Sequence, residues 1–263
     1  MVTGASRGFG AATARLLARR GATVALLARS ADALASVQAA IAQEGGNART
    51  YAVDLADPVA AQGVAQRISN ELGDADILVN NAGSGAFRFL DEGSADEAVT
   101  MMAVPYFAAL YMTRALLPAM LRRNRGHIVN VTSAAALRPI PGATAYNAAC
   151  WAMRGFSEAL RADVHGLEIG VTLVASGTST TPGYEHYPGV VDRMPGITRL
   201  VPLLTPEEVA SAIVRGIERD RRLVIVPRTL RVIAAVDRVM PWLVEWLVVR
   251  SGWTYRRANR PRK

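Results

Sequence analysis

Short apolar runs and longer amphipathic stretches alternate along most of the 263-residue chain. Apolar runs bounded by turn residues indicate buried strands, and apolar residues that recur with the helical period indicate helices. Strands are predicted at 22–28, 49–53, 76–80, 127–132, 169–175 and 223–226, and helices at 31–43, 58–72, 94–121, 146–164 and after a cap at 205–208. This alternation predicts an α/β protein whose parallel sheet is covered by helices on both faces.

A glycine-rich segment opens the chain. Residues 1–10 read Met-Val-Thr-Gly-Ala-Ser-Arg-Gly-Phe-Gly, and an Ala/Leu/Arg helix pattern follows them. Glycines at 4, 8 and 10, between a strand and a helix, allow a tight turn and close backbone approach to a pyrophosphate, which the helix N-terminus then favours. The alternative, an ordinary glycine-rich turn, stays open on this pattern alone.

The composition indicates one globular domain in a reducing compartment. With 51% hydrophobic and 20% charged residues, the chain has enough apolar material for one sizeable core. Cys150 is the only cysteine, which excludes an internal disulfide, and no cysteine and histidine cluster has metal-ligand spacing. We therefore expect no metal site. No secretory signal pattern precedes the first motif, so we expect a cytoplasmic protein.

Positive charge is concentrated at the C-terminal end. Residues 228–263 carry nine basic and two acidic side chains, a net charge of +7 out of +8 for the whole chain. An amphipathic helix is predicted there, with one apolar face that consists of Val232, Val236, Val239, Leu243, Trp246 and Leu247. Charged residues recur too often in this predicted helix for it to span a membrane. Its tryptophans and arginines suit contact with a membrane surface, and packing on a partner subunit is the equal alternative.

Three motifs together resemble the short-chain dehydrogenase/reductase family. They are Thr3-Gly4-xxx-Gly8-x-Gly10, then Asn80-Asn81-Ala82-Gly83, and Ser133 ahead of Tyr146, in the family's order and on the matching element types. The resemblance implies a single Rossmann-type, doubly wound domain of about seven parallel strands over residues 1–227, with 228–263 as a basic amphipathic extension. Only Met1 and Val2 precede Thr3, where the family has most of its first strand, and we interpret the start as misassigned.

The resemblance also implies a nicotinamide cofactor at the carboxyl edge of the sheet. The residues expected to bind it are Gly4, Ser6, Arg7, Gly8, Phe9, Gly10, Arg29, Asp54, Leu55, Asn81, Ala82, Gly83, Tyr146, Gly177 and Thr181. No carboxylate follows the second strand, and Arg29 with Arg7 could neutralise a 2′-phosphate. We therefore expect NADP(H) rather than NAD(H). The alternative is that both arginines are ordinary solvated surface residues.

The predicted catalytic pair is Ser133 and Tyr146. A serine hydroxyl can hold a substrate oxygen while a phenol exchanges a proton with it. A free phenol has a pKa near 10, so a nearby cation must favour its phenolate at neutral pH. The family places a lysine one helical turn after the tyrosine, where this chain has Cys150, and an asparagine where it has Pro105.

These residues leave two function classes in order of preference. The first is an NADPH-dependent oxidoreductase that interconverts a ketone and a secondary alcohol, with a hydrophobic substrate and an atypical site. The second is a cofactor-binding protein without hydride transfer, such as an isomerase, a cyclase or a regulatory subunit. A nucleic-acid partner is not expected because the basic end carries no recognisable binding module. We expect a homodimer or homotetramer.

Overall fold

Seven parallel strands form the centre of the protein, in a computed structural model that describes residues 1–180 and 189–255. The strands are β1 (Val2–Thr3), β2 (Thr23–Ala28), β3 (Asn47–Ala52), β4 (Ile77–Asn80), β5 (Gly126–Ser133), β6 (Ile169–Ser176) and β7 (Leu223–Val226). Their order across the sheet is β3-β2-β1-β4-β5-β6-β7. The strand order reverses between β1 and β4, which is where a doubly wound sheet opens a crevice for a ligand.

Helices cover both faces of this sheet. They are α1 (Gly8–Arg19), α2 (Ala31–Gln43), α3 (Pro58–Leu72), α4 (Ala95–Met102), α5 (Ala108–Arg123), α6 (Thr144–Asp163), α7 (Val190–Arg193), α8 (Pro206–Glu218), α9 (Arg228–Val239) and α10 (Pro241–Ser251). Side chains of α1, α2 and α8 pack on one face, and those of α3, α5 and α6 on the other. The Rossmann-type single domain predicted from the sequence is confirmed.

Alternation along β2 shows how the sheet divides the core into two layers. Val24 and Leu26 contact the first layer, whereas Ala25 and Leu27 contact the second. Successive side chains of a strand point to opposite faces, so a strand that is covered on both sides is apolar throughout. This is why the run at 22–28 lacks the polar alternation of a half-exposed strand.

The central strand β1 has only two residues. Val2 pairs with Leu26 of β2 and with Val79 of β4, and the N-terminal amine of Met1 donates to the carbonyl of Ile77 at 2.7 Å. The two residues therefore join the two halves of the sheet directly beneath the glycine loop. The interpretation that the start is misassigned stays a prediction.

The helix predicted at 94–121 contains a wide turn. Ser94 caps α4 and forms a reciprocal capping box with Glu97. Between α4 and α5 the residues Ala103–Phe107 adopt a π-helical turn, which contains Pro105. Because proline has no backbone N–H, the ordinary α-helical ladder cannot continue through it.

The same stretch is the one described helix that could span a membrane by length and composition. Ala95–Arg123 runs for 29 residues with a mean hydropathy of 1.2. Its Met112, Leu116 and Met120 side chains are buried in the layer shared with α3 and α6.

The C-terminal extension forms two helices rather than one. Met240 leaves the helical conformation, and Pro241 starts α10. Val244 and Val248 are buried, whereas Val232, Val239 and Trp246 are exposed. The single apolar face predicted from the sequence is therefore wrong, because the chain changes direction in the middle of it. The boundary between a domain at 1–227 and an extension at 228–263 stays a prediction.

Candidate active site at the carboxyl edge of the sheet

The glycine loop brings the backbone of β1 close to the start of α1. Gly4 and Gly8 have φ angles of +63° and +56°, which side chains other than glycine rarely tolerate. A Cβ on Gly10 would lie 2.2 Å from the carbonyl oxygen of Gly4. No side chain among the described residues caps the N-terminus of α1. Its first N–H groups are thus directed at the cleft, as binding of a phosphate requires.

The second motif supports this loop from the side. The hydroxyl of Thr3 accepts hydrogen bonds from the N–H groups of Asn81 at 2.9 Å and Ala82 at 3.0 Å. The side-chain amide of Asn81 donates back to the carbonyl of Thr3 at 3.1 Å. Thr3 and Asn81 therefore lock the ends of β1 and β4 together and fix the distance between the two motifs.

A cleft with a volume of about 660 Å³ follows this edge of the sheet. Of the residues expected to bind a cofactor, Gly4, Ser6, Arg7, Gly8, Phe9, Arg29, Asp54, Leu55, Asn81, Ala82, Gly83, Tyr146 and Gly177 line it. Gly10 lies behind the loop as the close-packing glycine. Thr181 lies outside the described residues. The positive-φ glycines, the uncapped helix start and the volume of the cleft together fit a dinucleotide.

The end of the cleft next to the glycine loop and β2 carries positive charge. Arg7 and Arg29 are both exposed and line it. In residues 1–180 and 189–255, no carboxylate lies at ion-pair distance from either guanidinium. The ion pairs at α1 involve other arginines. Asp54, farther along, accepts from the N–H of Ala56 at 3.0 Å. Both arginines are therefore available to an anionic group.

Ser133 and Tyr146 line the same cleft at its other end. Ser133 is the last residue of β5, where its hydroxyl accepts from the N–H of Ala135 at 3.2 Å. Tyr146 lies in the first turn of α6. The loop between them is tied to α6 by Asn147, whose side chain exchanges two hydrogen bonds with the backbone of Ile140, at 2.8 and 3.2 Å. The sequence did not single out Asn147.

Two further residues that sequence reasoning missed hold the ring of Tyr146. Phe87 packs on it with a centroid separation of 5.4 Å. A Cβ on Gly85 would lie 2.8 Å from a ring carbon of Tyr146, so a larger residue there would displace the phenol. Both belong to the segment after the Asn-Asn-Ala-Gly motif. The only sequence signal for them is that one is a glycine and the other an aromatic residue close to that motif.

Cys150 occupies the position expected for a lysine. Its thiol is buried and lies against the side chains of Thr132 and Tyr146 and the backbone of Ser133. Burial raises the pKa of the Cys150 thiol above its ordinary value, which outweighs the hydrogen bonds that lower it. A thiol with a raised pKa stays neutral at neutral pH. Position 150 therefore supplies no charge to the neighbouring phenol.

Pro105 also lines this end of the cleft, next to Val104. The π-helical turn lies where the resemblance predicts an asparagine, and the N–H of Ala108 bonds back to the carbonyl of Ala103. Proline at 105 brings neither an amide side chain nor an N–H to the site. Pro105 and Cys150, at the two positions predicted to differ from the family, therefore line the same cleft as the predicted catalytic pair.

A second, smaller pocket of about 110 Å³ adjoins the cleft and is mostly apolar. Ser133, Ser176 and Gly177 border both cavities. Another part of its wall comes from α9 and α10, through Leu230, Ile233, Ala234, Asp237, Val244 and Val248. Residues that the sequence assigned to a basic extension therefore complete a cavity beside the predicted catalytic serine.

An ion pair fastens these helices to the site. The guanidinium of Arg138, in the loop after β5, donates to the carboxylate of Asp237 on α9 at 2.8 Å and lies 3.7 Å from Glu245 on α10. Farther along, the hydroxyl of Ser251 accepts from the N–H of Ile197 at 3.3 Å, and the phenol of Tyr255 donates to Asp91. Three separate segments, at Arg138, Ile197 and Asp91, are thus tied to the end of the described chain.

Comparison with known proteins gives a consistent result. The family described as short chain dehydrogenase matches residues 1–187. A fatty acyl-CoA reductase from Acinetobacter baylyi is 34% identical over 226 residues, which is 85% of this chain and 74% of that protein. The ketoacyl reductase HetN from Nostoc is 30% identical over 252 residues, 93% of this chain and 86% of that protein.

Solved structures agree in fold. A metagenomic short-chain oxidoreductase in complex with NADP has 32% sequence identity and a TM-score of 0.72, covering 86% of this chain and 94% of its own. A short chain dehydrogenase/reductase from Burkholderia phymatum in complex with NAD has 26% identity and a TM-score of 0.81, covering 92% of this chain and 93% of its own. Relatives with either form of the cofactor thus share this fold.

Proposed function

The chain belongs to the short-chain dehydrogenase family and is an NAD(P)-dependent oxidoreductase, and from that premise we propose that it interconverts a ketone and a secondary alcohol on hydrophobic substrates with NADP(H). One observation carries this proposal. Ser133 lies on the border between a cleft that fits a dinucleotide and an apolar pocket, and Tyr146 lines the same cleft.

The proposed chemistry assigns a separate task to each side chain. A nicotinamide cofactor, when bound, supplies or accepts the hydride. Ser133 donates a hydrogen bond to the substrate oxygen and so holds the carbonyl at the mouth of the apolar pocket. Tyr146 gives its phenolic proton to that oxygen in reduction and takes it back in oxidation. Phe87 and Gly85 keep the phenol in one orientation.

We expect tighter binding of NADPH than of NADH, since Arg7 and Arg29 can pair with a 2′-phosphate. Hydrogen bonds to charged groups contribute about 1.5–3 kcal/mol, so Arg29→Ala should weaken NADPH binding about tenfold or more and leave NADH binding unchanged. Fluorescence titration of both cofactors measures this. The matched control is Arg215→Ala, an exposed arginine on α8. Equal affinities in the wild type, with no selective loss in Arg29→Ala, would contradict the preference.

The apolar pocket supports a substrate with an extended hydrocarbon part. Its walls of Ile233, Val244 and Val248 offer contacts to methylene groups, each worth about 0.8 kcal/mol when buried. We therefore expect kcat/KM for straight-chain methyl ketones to rise about fourfold per added carbon until the pocket is filled. NADPH oxidation with a series of such ketones is the test of the proposed function, and no turnover of any member would refute it.

Ala234 on α9 allows a sharper version of the same experiment. It lines the pocket, whereas Ala235, the next residue, is exposed. Ala234→Phe should lower kcat/KM for the longest ketones and spare the shortest, because the ring occupies the space of the chain end. Ala235→Phe is the matched control and should change neither. Equal effects on all chain lengths would place the substrate elsewhere.

Two specific residues favour a second candidate function. The neutral Cys150 and the amide-free Pro105 remove two groups that would assist proton transfer. The alternative is therefore an NADP(H)-binding protein without normal hydride transfer, which acts as an isomerase, a cyclase or a non-catalytic subunit. Tight NADPH binding together with a complete lack of carbonyl turnover would favour it over the reductase.

Assembly and location belong to the same proposal. The family resemblance supports a homodimer or homotetramer, and the sequence supports a cytoplasmic protein that touches a membrane surface through residues 228–263. A small carbonyl or alcohol compound is the proposed partner, and no nucleic acid is proposed. Analytical ultracentrifugation of the full chain decides the number of subunits.

A further inference from the structure

α10 is apolar on two opposite sides, and only one of them is covered. Val244 and Val248 are one turn apart and 3% and 7% exposed, since they form part of the pocket wall. Trp242, Trp246 and Val249 recur at intervals of four and three residues, so they share a stripe about half a turn away from the first. The two tryptophans are 68% and 54% exposed.

The extension that carries this outer stripe has a net positive charge. The described part of the extension carries Arg228, Arg231, Arg238 and Arg250, and Arg250 lies 5.5 Å over the ring of Trp246. Its only two acidic side chains, Asp237 and Glu245, both lie against Arg138. The remaining charge of residues 228–263 adds to the same sign, for a net of +7.

We propose that the outer stripe of α10, the residues Trp242, Trp246 and Val249, docks on the surface of an anionic phospholipid membrane. Tryptophan rings settle at the boundary between headgroups and acyl chains, and nearby arginines pair with anionic headgroups. The charge argues against a second copy of this chain as the occupant. A twofold interface would set the stripe against itself, so each basic segment would face another.

This inference rests on the proposed membrane contact of residues 228–263 and deepens it by naming the face of α10 and the charge of the lipid, and it does not depend on the proposed reaction. The same helix presents its inner side to the substrate pocket and its outer side to the lipid, so docking places the pocket wall one helix diameter from the membrane. A hydrophobic substrate dissolved in the bilayer would have only that distance to cross.

Co-sedimentation of the full chain with vesicles is the test. Vesicles of phosphatidylcholine containing phosphatidylglycerol should bind the wild type at least about tenfold more strongly than phosphatidylcholine alone, and added salt should weaken the binding. Trp246→Glu should reduce the binding at least about tenfold, because it removes an apolar anchor and adds a repelled charge. NADPH affinity and circular dichroism should stay unchanged in this variant.

Leu167→Glu is the matched control, since Leu167 is an exposed apolar residue at the opposite, amino-terminal edge of the sheet. It should bind vesicles as the wild type does. Equal sedimentation of wild type, Trp246→Glu and Leu167→Glu would overturn the proposal. So would binding that is lost on deletion of residues 256–263 but kept in Trp246→Glu. A third outcome would also overturn the proposal. If the wild type does not bind vesicles, and ultracentrifugation shows a smaller assembly for Trp246→Glu than for the wild type, the stripe is an interface between copies of this chain.

Discussion

Replacing Cys150 by lysine, together with Pro105→Asn, is expected to raise ketone reduction by about 10²-fold or more. The thiol now beside Tyr146 is neutral, because burial raises its pKa. An ammonium in its place would favour the phenolate and lower the pKa of the phenol toward neutrality. Cys150 borders the cofactor cleft, so the longer side chain can extend into the cleft. Steady-state rates with NADPH over a range of pH measure the gain.

Cys150→Met separates charge from size, since methionine has nearly the length of lysine and no charge. It should leave the rate unchanged or lower it. Pro105→Asn alone should give a small effect, because the asparagine acts with the lysine. If the wild type already reduces ketones rapidly and Cys150→Lys adds nothing, the proton route does not need a cation at position 150 and the proposed account of the site is wrong.

Tyr146→Phe should lower turnover about 10²- to 10⁴-fold, both in the wild type and in the Cys150→Lys variant. The substitution removes only the hydroxyl, so the contacts of the ring with Phe87 and Gly85 persist and the fold is retained. The NADPH dissociation constant should change little by comparison. Single-turnover rates together with cofactor titration distinguish the two effects.

Tyr111→Phe is the control for this loss. Tyr111 lies on α5 and packs on Phe107, away from both cavities. Its variant should keep the wild-type rate. Substantial turnover in Tyr146→Phe would mean that another group, or water, transfers the proton.

The sequence predicted those parts of the fold that depend on neighbours along the chain. The helices at 31–43 and 58–72 end where the structure ends them, because apolar spacing, the Ser30 and Asp57 caps and the terminating glycines are all local. The three motifs also predicted which strand ends meet, since parallel strands bring their carboxyl ends to one edge. Most of the residues predicted to bind a cofactor therefore line one cleft, and their role in binding it stays a prediction.

The pocket could not be anticipated, because it depends on where distant segments pack. The sequence pattern predicts one helix over the C-terminal residues, but the helix is interrupted before Pro241, which starts a new one. The residues after Pro241 therefore lie on other faces than those predicted. Whether Val244 or Trp246 is buried depends on contacts with the loop of Arg138. Gly85 and Phe87 likewise acquire a role only through the fold that sets them against Tyr146.

The ties between the pocket and the extension also bear on the order in which the protein folds. The Arg138 to Asp237 pair joins residues 99 positions apart, and the Asp91 to Tyr255 bond joins residues 164 apart. Contacts of such separation form late, since long segments of chain must be brought together first. On the ribosome, strands β1 to β6, with the helices between them, emerge before α9 exists. The cleft can therefore take shape while the apolar pocket still lacks the wall that α9 and α10 supply. We expect a nascent chain to bind a nicotinamide nucleotide before it can bind the proposed substrate.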